Sequence, residues 1–198
     1  MIATGMLLLL AWAQTDPGPT GLVVGVDSLV DLDNRRIVEP AKKPTKAICL
    51  IFLGAECPVS NALIPEISRI QTEYGPRGVV FAGVYPDPDV DADRARAHGR
   101  EYMAGLRQIP DPKLAVARQA KIELTPEATI LDKAGKVLWR GRVNDLWTPA
   151  GKKRLSPQNH DLRLALDAVL ENRPPPPAKG KGYGCPLPEM GRAGEKDH

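Results

Sequence analysis

Apolar positions fall in two patterns along this chain. Ala47-Ile48-Cys49-Leu50-Ile51-Phe52-Leu53 is an unbroken run with β-branched and aromatic members that stops at Gly54, as expected of a central strand buried on both faces. After Cys57-Pro58 the period lengthens. Leu63, Ile67, Ile70 and Tyr74 recur at helical spacing while Glu66, Arg69 and Glu73 fall off that stripe, which predicts an amphipathic helix ending at Gly75-Pro76. Gly78-Val79-Val80-Phe81-Ala82-Gly83-Val84 is a second unbroken run. Strand, helix and strand in this length form a crossover between parallel neighbours, nearly always right-handed, so the core is read as α/β.

The flanking elements are shorter. Residues 23–26 and Ile37-Val38 predict a small N-terminal β-hairpin around Asp33-Asn34, and the polar stretch 89–105 predicts a helix. Asp111-Pro112 has the form of an N-cap with proline at the first helical position, opening a short helix through Leu114, Ala117 and Ala120. Residues 128–131 and 136–139 flank Asp132-Lys133-Ala134-Gly135, a loop suited to a β-hairpin. Ser156-Pro157 predicts the start of a last helix with Leu162, Leu166, Val169 and Leu170 on one face.

The two ends differ from this core. Residues 1–13 carry no charged side chain, contain an apolar run from Met6 to Trp12 and finish in Ala11-Trp12-Ala13, which predicts a signal peptide cleaved before Gln14 and an exported, periplasmic product. The run is too short to span a bilayer, so no stable membrane insertion is expected after cleavage. Residues 14–21 read as a linker, 22–172 as the folded domain, and 173–198 as a flexible tail: prolines 174–177 are followed by Gly180, Gly182, Gly184 and Gly191. Lys+Arg 27 against Asp+Glu 24 leaves a net charge of +3, too weak a field for a nucleic-acid partner.

The residue that carries chemistry is Cys57, placed where a buried strand has ended and a helix begins. Unpaired N–H groups and the helix dipole there favour the thiolate, the nucleophilic form, although Glu56 opposes this if its carboxylate points inward. Ser60, three residues on, lies within reach to donate a hydrogen bond to the sulfur. The plainer alternative is a structural cysteine at a helix start. The segment resembles the active-site loop of the thioredoxin superfamily, in particular the redoxin branch that holds peroxiredoxins and TlpA-type thiol:disulfide oxidoreductases. Pro65, eight residues after Cys57, matches the family's helix-kinking proline, and Leu124-Thr125-Pro126 matches its cis-proline site. Residues 135–145 are similar to the strand that closes redoxin domains, and the Gly-Cys-Pro at 184–186 to the tails of exported bacterial redoxins. The resemblance covers 22–172. It implies a thioredoxin-like fold with a central mixed sheet flanked by helices, a cis Thr125–Pro126 bond, and a substrate groove at Pro58, Thr125 and Pro126.

Departures from the family shape the functional expectation. The usual dithiol motif reads Cys57-Pro58-Val59-Ser60 here, so the common resolving thiol is missing. Peroxiredoxins carry threonine where this chain has Gly54, and no arginine follows Thr125-Pro126; Arg140 and Arg142 are expected to pair at the surface. Of the three cysteines, Cys49 is expected to be a small core residue. Set beside the resemblance, Cys185 is the candidate resolving thiol, within one chain or across a dimer. Thirteen residues of tail span about 40 Å at polyproline spacing against a domain radius of gyration of roughly 15 Å. A free or intermolecularly paired Cys185 remains the alternative. The expectation is a thiol-dependent oxidoreductase acting on a protein or small-molecule thiol or disulfide, without cofactor; a peroxiredoxin-like antioxidant peroxidase and a non-enzymatic binding module are the alternatives. Copper-delivery relatives resemble C-x-x-x-C, but Asn61 stands at that place and His98, His160 and His198 lack ligand spacing, so no metal is expected. Oligomeric state is left open.

Overall fold

The computed structural model describes residues 21–38, 44–102 and 105–188. The predicted signal peptide, and the linker up to its last residue, lie outside the described residues. The chain contributes β1 (Ala47–Phe52), α1 (Pro58–Tyr74), β2 (Val79–Tyr85), α2 (Ala92–Tyr102), β3 (Arg107–Pro110), α3 (Ala115–Gln119), β4 (Leu124–Thr125), β5 (Glu127–Leu131), β6 (Val137–Gly141), α4 (Asp161–Leu170) and β7 (Cys185–Pro186). A mixed sheet runs in the order β3-β2-β1-β5-β6, with β1 parallel to β2 and antiparallel to β5. β4 and β7 form a separate antiparallel pair.

Strand β1 is buried along its whole length, as its unbroken apolar run requires. Successive side chains leave on opposite faces. Ala47, Cys49, Ile51 and Leu53 pack with Leu63, Ile67 and Ile70 of α1 and Leu162 and Leu166 of α4, whereas Ile48, Leu50 and Phe52 pack with Val24, Leu29, Ile37, Ala117 and Ile122. Each such buried aliphatic side chain contributes about 1.5–3 kcal/mol. Two filled faces fix the height at which β1 ends, and therefore where the loop carrying Cys57 emerges.

Four local expectations meet tertiary competition. The N-terminal segment does reverse direction at Asp33-Asn34, but as a short 3-10 turn (Val26–Ser28) and a single bridge between Val30 and Arg36, not a ladder. The first of the two predicted strands pairs elsewhere, with Val24 N–H on Gly135 O at 2.8 Å and Val137 N–H on Leu22 O at 2.9 Å, and the Ile37 carbonyl that would extend the bridge accepts from the Arg107 guanidinium at 3.0 Å. Asp111 does cap a helix, accepting from Ala115 and Ala117 N–H at 2.7 and 2.9 Å, but that helix opens at Ala115 after a left-handed Leu114. The last helix begins at Asp161 and not at Ser156-Pro157: Leu162 N–H, which would close on Gln158 O in a helix opening at Pro157, donates to Val143 O at 3.1 Å, and Asn159 O accepts from Asp145 N–H at 3.2 Å. The segment after Asn172, whose composition predicts a flexible tail, is laid along the domain as far as residue 188. Trp139 Nε1 donates to Pro176 O at 2.9 Å, Lys179 N–H to Asp161 at 2.7 Å, and Tyr183 stacks on Trp147 with ring centroids 5.9 Å apart. Among the described residues no helix is long and apolar enough to cross a membrane.

Candidate active site

Cys57 is the N-cap of α1, Pro58 its first helical residue and Pro65 lies in its interior. The loop before it is short and tightly hydrogen-bonded. Leu53 N–H reaches Val84 O at 2.8 Å, Cys57 N–H closes a turn on Gly54 O at 3.1 Å, and Asn61 N–H makes the first helical bond to Cys57 O at 3.0 Å. With no acidic residue in the first turn of α1, nothing there offsets the partial positive charge at the helix start, which favours an anionic sulfur. Glu56 is exposed and ion-paired with Arg94 of α2, so its carboxylate faces away from this position.

The structure joins Cys57 to Cys185 in a disulfide across 128 residues, with the two Cα atoms 6.1 Å apart. Cys57 is buried at 4% exposure, while Cys185 is only partly covered. The pair sits on β4: Thr125 is in register with Cys185 and Leu124 with Pro186, and Leu187 N–H donates to Glu123 O at 3.1 Å. The Thr125–Pro126 bond is cis, and both residues are buried. Cys57 Sγ lies 3.4 Å from Thr125 O; in the disulfide it has no proton to give, and as a thiol it would donate there. Thr125 Oγ1 is 3.5 Å from Cys185 O.

Two glycines permit this convergence. A Cβ on Gly54 would lie 2.8 Å from Cys57 Cβ and 3.0 Å from Thr125 Oγ1, so the threonine hydroxyl of β4 fills the space that a side chain at 54 would need. A Cβ on Gly184 would lie 2.0 Å from Thr125 O. Position 54 is fixed by the close approach of the Cys57 and Thr125 side chains and position 184 by the Thr125 backbone, neither by turn geometry.

Of the residues singled out from sequence, Cys57, Cys185, Thr125 and Pro126 are brought together, and Pro58 stands exposed beside them at the head of α1. Ser60 is fully buried in the same turn, but its hydroxyl accepts from Gly54 N–H at 3.3 Å; among the described residues it makes no hydrogen bond to the Cys57 sulfur. Cys49 is free and buried inside β1, where burial pushes its thiol far up. Arg140 pairs with Glu127 at 3.3 Å; Arg142 is buried, not at the surface as expected, and holds Asp161 at 2.8 Å.

Sequence reading missed a polar chain beneath the loop. Asn61 Nδ2 donates to Ala55 O at 3.3 Å, His98 Nε2 lies 2.9 Å from Asn61 Oδ1, and the Tyr85 hydroxyl lies 2.9 Å from His98 Nδ1. Because Asn61 Oδ1 only accepts, His98 carries its proton on Nε2 and takes the Tyr85 O–H on Nδ1. Burial holds His98 below its usual range, against the Glu101 charge that works to raise it. Asn61, one helical turn after Cys57, was the legible end of this chain; nothing local marks His98 or Tyr85.

No family model matches the chain, and no curated protein matches it. Solved structures do. A conserved protein of Geobacillus kaustophilus described as uncharacterized is similar with TM-score 0.68 at 24% identity, over 85% of this chain and 91% of that one. A hypothetical protein of Sinorhizobium meliloti 1021 is similar with TM-score 0.68 at 20% identity, over 88% and 96%. A candidate thioredoxin from Neisseria meningitidis gives TM-score 0.58 at 18% identity, over 76% and 91%. With the sheet order and the helix-capping cysteine beside a cis proline, this likeness makes the chain a protein of the thioredoxin-like fold.

Proposed function

We propose that this protein is a thiol:disulfide oxidoreductase whose redox pair is Cys57 and Cys185. The observation that carries the reading is the disulfide between a helix-capping cysteine and a tail cysteine, seated on the strand that ends in the cis proline. It supplies the second thiol that Cys57-Pro58-Val59-Ser60 lacks.

In the reducing direction the Cys57 thiolate attacks one sulfur of a client disulfide, the client S–S bond breaks, and the other client sulfur leaves as a thiolate. The Cys185 thiolate then attacks Cys57 Sγ, and the client's remaining sulfur leaves. The client gains two electrons and two protons, and the pair becomes a disulfide. Reopening requires two equivalents of an external thiol: the first attacks the more accessible Cys185 sulfur and expels Cys57 as the thiolate favoured at the helix start, and the second attacks the external sulfur now on Cys185, releasing the Cys185 thiolate and an external disulfide. The groove of Thr125, Pro126 and Pro58 receives the client, and an exported location, where disulfides persist, suits this chemistry. Peroxide chemistry is the weaker reading. Gly54 leaves no hydroxyl from that position, and Arg140 and Arg142 are engaged by Glu127 and Asp161.

The test is peptide mapping of the reduced protein after reaction with a small disulfide, with remaining thiols blocked. A linked Cys57–Cys185 peptide and release of two small thiols per chain are expected. A Cys57 that stays unmodified leaves the protein a thioredoxin-fold binding module and ends this reading.

A further inference from the structure

We propose that residues 184–187 are a built-in competitor for the edge of β4, and that the external occupant of that edge is an extended polypeptide whose reacting cysteine directly follows a glycine. The inference rests on the reading of Cys57 as the nucleophile and adds the class of client.

The edge has room for one strand. Thr125 is already in register with Cys185 and Leu124 with Pro186, and Glu123 O is taken by Leu187 N–H. A client strand that pairs with β4 in the register of Cys185 brings its sulfur to Cys57 Sγ and the residue before its cysteine to the carbonyl that Gly184 meets. At Gly184 a Cβ would stand 2.0 Å from Thr125 O, 2.7 Å from its carbonyl carbon and 3.2 Å from Pro126 Cδ. The first two are backbone atoms, so no side-chain rotation relieves the overlap. In this register the groove accepts Gly-Cys and resists any larger residue before the cysteine.

Client and tail therefore exclude one another. While a client strand is held on Cys57 the tail is off β4. When Cys185 attacks Cys57 Sγ, the bond to the client breaks, the client sulfur leaves as a thiolate, and the tail takes the strand position the client occupied. Closure of the redox pair and ejection of the client are one step.

The test uses the full chain with Cys185→Ser and an octapeptide of the sequence of residues 181–188, its cysteine activated as an aromatic mixed disulfide, beside the same peptide with alanine before the cysteine. Cys57 attacks the peptide sulfur and releases the aromatic thiol, which is followed by absorbance. Overlap of this kind translates into capture of the glycine peptide at least about tenfold faster than the alanine peptide. A small symmetric aromatic disulfide calibrates Cys57 itself. If it fails to react, the functional reading and this inference fall together; if it reacts while both peptides are captured equally fast, this inference alone is overturned. In the full chain with both cysteines, Gly184→Ala is expected to slow Cys57–Cys185 closure by about tenfold or more and to let the client adduct accumulate. Closure at the wild-type rate sinks the proposal.

Discussion

Residues 54–60 and residues 184–187 each bring one sulfur to the same bond, but they are held there by contacts of different range. The first segment is fixed mainly by its neighbours in sequence, a fully buried strand before it, a 17-residue helix after it, and hydrogen bonds among Gly54, Ala55, Cys57, Ser60 and Asn61, with His98 behind Asn61 as its remote support. The second is fixed by partners far away in the chain: Thr125 and Glu123 along β4, Trp147 under Tyr183, Asp161 on Lys179 and Trp139 on Pro176. These tail contacts are a few hydrogen bonds and one ring stack, each worth about 0.5–1.5 kcal/mol. Ordering the chain costs about 1–2 kcal/mol per residue, so without the disulfide the tail is only marginally retained. Under the proposed function, that difference makes Cys57 a preformed nucleophile and Cys185 a conditionally docked resolving thiol.

The sharpest way to break the comparison is to remove each sulfur in turn. Cys57→Ser and Cys185→Ser lose the same cross-link and should lose the same stability, about 2–4 kcal/mol relative to the oxidised wild type, measured by urea unfolding. Their chemistry should be opposite. The Cys57 variant is expected to be silent toward disulfides, while the Cys185 variant forms client adducts that persist. Equal silence of both would mean that Cys57 depends on the tail for its reactivity and that the two segments are not independent.

Gly54→Ala presses on the first segment from within. The added methyl meets Cys57 Cβ at 2.8 Å and Thr125 Oγ1 at 3.0 Å, a crowding that costs about 1–3 kcal/mol and pushes β4 away from the head of α1. Both the reactivity of Cys57 and the closure of the pair should fall. If only closure falls, as expected for a change in the tail, the loop is less rigid than its hydrogen bonds imply.

The same contrast decides what sequence could reveal. Strands β1, β2, β5 and β6, helix α1, Cys57 at its head, Pro65 and the Thr125-Pro126 pair were legible because each is written in adjacent residues: an unbroken apolar run, a helical period, a motif. Elements decided by remote partners were not. Ser156-Pro157 has the form of a helix start, yet the remote Val143 carbonyl and Asp145 N–H take Leu162 N–H and Asn159 O, and the helix waits until Asp161. The expected N-terminal ladder loses residues 22–24 to residues 135–137 and the Ile37 carbonyl to Arg107, which belongs to the polar strand β3 that no periodicity announced. The tail has turn-former composition and no apolar period; it is held by Gly184 against Thr125 and by Tyr183 on Trp147, neither of which a linear pattern contains. Ser60 was placed correctly in the turn but bonds to Gly54, since hydroxyl direction is a tertiary choice.

Acid should separate the two supports by pH. His98 underpins the first segment through Asn61 and Ala55, and burial lowers its proton affinity below the usual 6.5. The unfolded chain then binds the extra proton more readily, so this support is intact above about pH 6.5 and is lost progressively as pH falls below it. Asp145 underpins the loop that presents Trp147. Burial works to raise its carboxyl, but hydrogen bonds from Asn159 and Gln158, with the Arg154 charge, bring it from 3.8 down to about 2. Its contribution, on the order of 2 kcal/mol, is complete above the unfolded value and disappears as pH falls from there through about 2. Urea unfolding across pH is expected to show His98→Gln flattening the mildly acidic slope and Asp145→Asn flattening only the strongly acidic one. A shared slope would mean that the head and the tail open as one unit.

The smallest change tests the tail alone. Trp147→Ala removes the platform under Tyr183, whose ring lies 5.9 Å away at an interplanar angle of 22°, while leaving β4, Gly54 and the head of α1 untouched. A stack of this kind is worth about 0.5–1.5 kcal/mol, which shifts the docked fraction of a marginally held strand by roughly two- to tenfold. Closure of Cys57 with Cys185 should slow by that factor, with the rate of Cys57 attack on a small disulfide unchanged. Tyr183 also crowds Gly151, its ring carbons Cζ and Cε2 lying 2.8 and 3.0 Å from the position a Cβ there would take, so Tyr183→Phe, which removes only the hydroxyl, keeps the ring in place and serves as the conservative partner. Closure near the wild-type rate in Tyr183→Phe and slowed in Trp147→Ala assigns the effect to stacking. If Trp147→Ala slows attack and closure alike, the loop at 144–159 supports the nucleophile as well, and the division between a locally built head and a remotely held tail has to be redrawn.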